Sequence, residues 1–247
     1  MCNLKVFEIE NICYSYPDGT KALKDLSFSV YEGEILGIAG ANGSGKSTLL
    51  MLMMGCLSPL DGKIIYDGDR LCKEKLRAMR RETGLLFQDP DDQLFLPTVW
   101  EDVAFGPRNL GLSEEEVVSR VRSALRDTGI DALSEKAPWK LSGGEKTLAA
   151  LAGLFAMKPR TLLLDEPTSG LDPKSRRDLI NIMDRTEITA VIATHDLDMV
   201  MDVCQRLIIM KNGTIVSDGD VPGVLTDRKF MASCGLEIPL SLMSRLS

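Results

Sequence analysis

The sequence predicts an α/β chain: a core built on a mainly parallel sheet, an N-terminal antiparallel β-subdomain and an inserted α-helical subdomain. Three observations carry that prediction. Short apolar runs that read as buried strands recur at residues 34–39, 161–165, 189–193 and 206–210. Helical segments separate the last three of these runs, so right-handed crossovers are expected between parallel neighbours. Between the first run and the others, residues 74–159 are dominated by helix formers.

The elements run in order along the chain. Residues 6–14 carry apolar and β-branched side chains, Pro17-Asp18-Gly19 marks a turn, and residues 26–30 alternate apolar with polar. Glu32-Gly33 turns the chain into the first buried run. After it come Gly40-Ala-Asn-Gly-Ser-Gly-Lys-Ser47 and an apolar stretch of helical character to Leu57, broken by Pro59-Leu-Asp-Gly62. Residues 63–66 with Asp67-Gly68 predict a further hairpin. Pro90, Pro97 and Pro107 punctuate a linking segment. Residues 113–127 then predict a helix, with Ser113-Glu-Glu-Glu116 as a capping box. The expected division is residues 1–88 and 159–226 as two parts of one core, 89–158 as the helical subdomain and 227–247 as a tail.

Composition narrows the function classes. At 247 residues, with 44% hydrophobic and 26% charged side chains, the chain is neither disordered nor fibrous. The longest apolar run, residues 49–57, is about half of the ~18 needed to span a bilayer. No basic-then-apolar leader opens the sequence. A chain soluble in the cytosol and able to dock on a membrane protein is expected. The 29 basic and 36 acidic residues leave a net charge of −7, which disfavours non-specific nucleic-acid binding. Six scattered cysteines and a single histidine form no zinc-ligand pattern, so reduced thiols, several in the core, are expected.

The chemistry lies in three motifs. Gly40-x-x-x-x-Gly45-Lys46-Ser47 is a P-loop between a buried strand and a helix. Its backbone N–H groups, from Asn42, Gly43, Ser44, Gly45 and on to Thr48, curl around phosphate oxygens at a helix N-terminus. Lys46 would bridge the β- and γ-phosphates of a nucleotide and the Ser47 hydroxyl would ligate Mg²⁺. Leu162-Leu-Leu-Asp165-Glu166 ends an apolar strand in two carboxylates, Asp165 for the metal and Glu166 for an attacking water. A DE pair alone is usually a solvated turn; beside a P-loop it completes a nucleotide site. Leu141-Ser-Gly-Gly-Glu145 opens a mostly apolar helical run. Ser142 and Glu145 fit a capping box, but Gly143 and Gly144 also expose N–H groups where phosphate binds.

Together these motifs resemble the ATP-binding subunits of ABC transporters, whose LSGGQ signature the third segment approximates, over roughly residues 5–225. The resemblance implies ATP and Mg²⁺ as ligands. It implies that Gln88 is the Q-loop glutamine near metal and water, that Ser169-Gly170-Leu171-Asp172 is the D-loop, and that His195 is the switch histidine near the γ-phosphate. Tyr16 stands where the family's aromatic stacks on adenine, with Tyr14 as the alternative. The P-loop of one copy would face Ser142, Gly143 and Gly144 of another, giving a head-to-tail dimer with itself or a paralogous ATPase. Integral membrane transport subunits would dock on residues 89–158, placing the chain at the cytoplasmic face of the membrane, with no nucleic-acid partner.

The segments Phe87-Gln-Asp-Pro-Asp-Asp-Gln-Leu-Phe95 and Thr98-Val-Trp-Glu-Asp-Val-Ala-Phe-Gly106 are similar to energy-coupling-factor importers of cobalt, nickel or vitamins. So is the tail, where Gly235-Leu236 and Pro239 precede a short apolar end that in such proteins helps hold two ATPases together. Two departures stand out: Glu145 replaces the signature glutamine, and Leu148 occupies a position where many members carry arginine. A carboxylate near phosphate repels it unless it turns away, so Glu145 is expected to bond the Ser142 backbone N–H. Two other classes compete. A soluble repair or translation ATPase is disfavoured by one P-loop and no sustained heptads, and a non-hydrolysing subunit by intact Lys46, Asp165, Glu166 and His195.

Overall fold

In the computed structural model, which describes residues 4–243, the N-terminal half opens with a turn at Pro17-Asp-Gly19. It returns β1 (Lys5–Ser15) on β2 (Lys21–Tyr31), with Glu8 opposite Ser29 and Ile9 opposite Phe28. After β3 (Ile35–Ala39) and α1 (Lys46–Met53), β4 (Asp61–Tyr66) pairs antiparallel with β1. Asp67-Gly68 then turns it into β5 (Asp69–Arg70), which completes an antiparallel sheet of order β2-β1-β4-β5.

Three local expectations need correction between residues 73 and 127. Behind α2 (Lys73–Glu82) lies β6 (Thr83–Leu86), a strand inside what reads as a helical region. Four residues are too few for a periodic signal; pairing of Leu85 with Leu163 in β7 (Thr161–Asp165) decides their state. Next, α3 (Val99–Asn109) contains Pro107, expected to punctuate a link. Proline in a final turn costs one N–H bond, and the Thr98 hydroxyl secures the other end by accepting from Glu101 N at 3.2 Å. Finally, α4 (Glu114–Asp127) has only half its capping box: Ser113 accepts from Glu116 N at 3.3 Å, while the Glu116 carboxylate turns to Arg120 at 2.6 Å.

After α5 (Gly143–Ala156), β7, α6 (Pro173–Asp184), β8 (Thr189–Ala193), α7 (Leu197–Val203) and β9 (Arg206–Lys211) alternate. An additional strand, β10 (Thr214–Asp220), hairpins back on β9, followed by α8 (Val221–Leu225), α9 (Arg228–Ser233) and α10 (Leu240–Met243). The larger sheet has the order β10-β9-β3-β8-β7-β6, and only β10 runs antiparallel. This is an α/β fold dominated by a parallel sheet, with a second, antiparallel sheet beside it.

Period-two alternation divides the core. Leu36, Ile38, Leu163, Val191, Ile208 and Met210 face α1 and the antiparallel sheet. Ile35, Leu162, Leu164, Ala190, Ile192, Leu207 and Ile209 face the helices on the other side. Every residue of β3, β7 and β8 is therefore buried, and their carboxyl ends open side by side at the centre of the sheet. Ligands of open α/β sheets bind at that edge. Helix α5 runs through the second core layer with Leu148 only 7% exposed, so an apolar residue suits that position. Among the described residues no helix is long and apolar enough to cross a membrane. Cys204 and Cys234 are buried and Cys56 and Cys72 exposed; Cys2 lies outside the described residues.

Candidate active site

The loop after β3 is shaped by close packing before any ligand is considered. Gly45 has φ 104° and is the N-cap of α1; a Cβ there would sit 2.6 Å from Leu23 Cδ2 and 2.8 Å from the Ala22 carbonyl oxygen. Only glycine fits. With no side-chain cap, the first N–H groups of α1 are left to a ligand. The Ser44 hydroxyl is buried without a hydrogen-bond partner. Lys46, 6% exposed, bonds the Gly40 carbonyl at 2.8 Å and lies 3.4 Å from Glu166 Oε1.

Strand β7 delivers the two acids. Asp165 Oδ1 is buried without a partner. Burial pushes the Asp165 carboxyl above its ordinary range; the Ser47 hydroxyl pulls it back and the neighbouring Glu166 charge raises it further. Glu166 adopts a left-handed backbone, φ 47°, which costs a non-glycine residue about 1–2 kcal/mol. Strain of that kind concentrates at functional sites. The Glu166 Oε2 atom accepts from His195 N at 3.1 Å and meets His195 Nδ1 at 2.7 Å, so one buried carboxylate holds Lys46 on one oxygen and His195 on the other.

Ser44, Lys46, Ser47 and Glu166 line a cleft of about 430 Å³ together with Tyr16, Asn42, Gly43, Gly45, Thr48 and Gln88; Asp165 and His195 adjoin Glu166 but are not part of the lining. Tyr16 stands on its rim, 37% exposed, its hydroxyl 2.8 Å from Thr48 Oγ1. Tyr14 is only 9% exposed and packs edge-on against it. Thr20, Lys21 and Ala22 also line the cleft; nothing in their local sequence marks them, since the loop's approach to β2 brings them there. Ser142, Gly143 and Gly144 do not line it. They open α5 elsewhere, and Gly144 has a packing reason of its own: a Cβ would lie 2.4 Å from Ser175 Oγ on α6.

The ABC transporter family pattern matches residues 23–169. The chain belongs to the ABC transporter family. It is 43% identical to the energy-coupling factor transporter ATP-binding protein EcfA of Methanosphaera stadtmanae, over 95% of this chain and 86% of that protein. Among solved structures, cbiO1 of Clostridium perfringens, part of the ABC transporter complex cbiONQ, superposes with a TM-score of 0.83. It is 36% identical and covers 98% of both chains. The dimeric bacterial ABC cassette MJ0796 gives 0.80 at 27% identity, covering 87% of this chain and 98% of that one.

The Leu141-Ser-Gly-Gly-Glu145 turn closes on itself in this ABC ATPase subunit. Glu145 Oε2 accepts the Ser142 N–H at 2.7 Å, and Ser142 Oγ accepts the Glu145 N–H at 3.3 Å, a complete capping box. The Ser142 backbone bond holds the Glu145 carboxyl below its ordinary range, with burial opposing. Its charge is thus directed at its own helix, where the Ser142 side chain also helps to hold it. Lys146, the next residue, pairs with Asp91 at 2.6 Å and ties α5 to the segment after Gln88.

Proposed function

We propose that this chain is the ATP-hydrolysing subunit of an energy-coupling-factor importer, powering uptake of a small solute, a transition-metal ion or vitamin, through membrane subunits. One observation carries the reading: Lys46, Gln88 and Glu166 line one cleft and the Ser142-Gly143-Gly144 turn opens outside it, so we read the cleft as half of a nucleotide site. A second copy or a paralogue, placed head to tail, supplies the other half. The dimeric cassette MJ0796, the EcfA relative and cbiO1 with its place in cbiONQ support the pairing and the transporter role. The chain then works as a peripheral subunit at the cytoplasmic face of the membrane.

The residues divide the chemistry between them. Tyr16 stacks on adenine; the α1 N–H groups, Ser44 and Lys46 bind the phosphates. The buried, partnerless Asp165 Oδ1 beside Ser47 fits a divalent ion, so Asp165 and Ser47, with Gln88, would hold Mg²⁺. That ion, when bound, supplies charge neutralisation on the phosphates. Glu166 orients the attacking water and accepts its proton. With Nδ1 engaged by Glu166, His195 has Nε2 left for a phosphate oxygen. Ser142, Gly143 and Gly144 of the facing copy close over the γ-phosphate.

Glu166→Gln is the direct test. The variant is expected to bind Mg-ATP, lose turnover by at least ~100-fold and accumulate as a dimer in light scattering. Undiminished hydrolysis would move the base elsewhere, and failure of nucleotide ever to pair two copies would overturn the reading. Co-purification from cells, with the bound membrane proteins identified by mass spectrometry, tests the importer assignment; recovery of no integral membrane protein counts against it.

A further inference from the structure

The first turn of α6 touches two segments that lie far apart in sequence. Asp172 begins it, its carboxylate accepting from Lys174 N at 2.9 Å, Ser175 N at 3.2 Å and Ser175 Oγ at 2.6 Å. The next residues then reach outward. Ser175 presses on Gly144, so closely that no Cβ fits between them. Arg176 reaches the loop that carries His195: its Nε donates to Asp196 Oδ2 at 2.5 Å and its Nη2 to Asp196 Oδ1 at 2.7 Å.

Asp196 is itself fixed on three further sides. Its Oδ1 accepts from Met199 N at 2.9 Å, capping α7; its N–H donates to Thr194 Oγ1 at 3.0 Å; and Thr168 also bonds its side chain. The pair is shielded, with side chains 24% and 16% exposed. A fork-to-carboxylate pair fixes the plane of the acid as well as its distance, which a point charge does not. By contrast the His195 side chain is 61% exposed and, among the described residues, Glu166 alone holds its ring. Where that ring stands is therefore decided by Glu166 and by the backbone on either side of it.

We propose that Arg176 is a positioning residue for the reaction: through Asp196 it locks the His195 loop onto the same helical turn against which the signature turn packs. The inference rests on the ATPase reading above. In the head-to-tail pair it has a consequence for coupling, because His195 serves the chain's own nucleotide and Gly144 its neighbour's. One turn of α6 then keeps the two half-sites of a protomer in register.

A neighbouring pair supplies the control. Arg177, also on α6, meets Asp202 on α7 at 3.2 Å, with side chains 57% and 40% exposed, and touches neither His195 nor Gly144. Arg176→Met and Arg177→Met each remove one α6–α7 ion pair. Measured on the complex with its membrane subunits, Arg176→Met is expected to lower kcat roughly 10- to 100-fold, the scale of a misplacement near 1 Å, with KM for ATP within about threefold. Arg177→Met should stay within about twofold in both, as exposed pairs do.

His195 is the chain's one histidine, so its imidazole can be followed by NMR in protein carrying no histidine tag. Its ring resonances should move in Arg176→Met and stay in place in Arg177→Met. Equal losses of kcat in the two variants, or an unmoved imidazole in Arg176→Met, overturn the proposal while leaving the ATPase reading intact. Should Arg176→Met not fold, Arg176→Lys, which keeps the charge and loses the fork, decides on the same two readouts. No Mg²⁺-dependent turnover in the unsubstituted complex would overturn both.

Discussion

Asp165 is a side chain whose function works against the stability of the free chain. Burial raises its carboxyl above the ordinary value of 3.8, and the Glu166 charge adds to the rise. A folded-state value above the unfolded one means that stability is fully present at pH below the unfolded value. It is lost as pH rises through the folded value, so the ionised carboxylate destabilises the free chain on the alkaline side of that value. Asp165→Asn removes the charge and keeps the shape. Without nucleotide, its Tm at pH 7.5 should rise by ~2–4 °C, the shift that about 1 kcal/mol produces in a chain of this size. Mg²⁺-dependent ATP affinity should fall in the same variant. A lower Tm in calorimetry would show that Asp165 is stabilised by contacts rather than held under strain. Such residues were legible in the sequence because Lys46-Ser47 follows a glycine-rich loop after one apolar strand and Asp165-Glu166 ends another. Arg176 and Asp196 were not, because their meeting depends on how α6 crosses α7, and neither side chain has a local pattern.

The start of α5 shows what a change of one atom type does to an element. Glutamine and glutamate offer the same acceptor oxygen to the Ser142 N–H, so the capping box does not require the charge. Glu145→Gln should leave the turn in place and relieve repulsion of an approaching phosphate, raising turnover by less than about tenfold, or ~1.4 kcal/mol. A rise of several orders of magnitude in a phosphate-release assay would mean the charge faces the nucleotide after all. The sequence predicts a capping box at both helices, the structure completes it at α5 and only half of it at α4, and the difference is competition. Arg120 stands one turn on from Glu116 and captures its carboxylate, whereas no equivalent arginine follows Glu145 at that spacing. The same limit applies to β6. Thr83-Gly-Leu-Leu86 has no periodicity to read, and its strand state exists because β7 offers an edge. Long apolar strands and residues with fixed backbone demands were visible from sequence; elements decided by a distant partner were not.

At the scale of the whole molecule, the tail does more than its sequence resemblance implies. Met231, Cys234, Leu236 and Ile238 are all buried in the cluster that also contains Leu207, Ile209, Val221 and Leu225, and Lys211 reaches the Ser233 carbonyl at 2.7 Å. Residues 228–238 therefore complete the protomer's own core beneath the helical face of the sheet. Each buried side chain of this size contributes about 1.5–3 kcal/mol, so removing the set of four costs on the order of 6–12 kcal/mol, comparable to the whole stability of many domains. Truncation after Asp227 should then lower the protomer's Tm steeply or prevent folding, and loss of dimers in that variant would say nothing about an interface. Truncation after Pro239 spares Leu236 and Ile238 and removes only residues 240–247, α10 among them. If the tail bridges two ATPases, this shorter variant still folds in the absence of partners, losing only the partial packing of Leu242 and the Ser241 bond to Asp198, yet pairs more weakly in sedimentation velocity with Mg-ATP. Unchanged pairing would confine the tail's role to the fold of its own protomer.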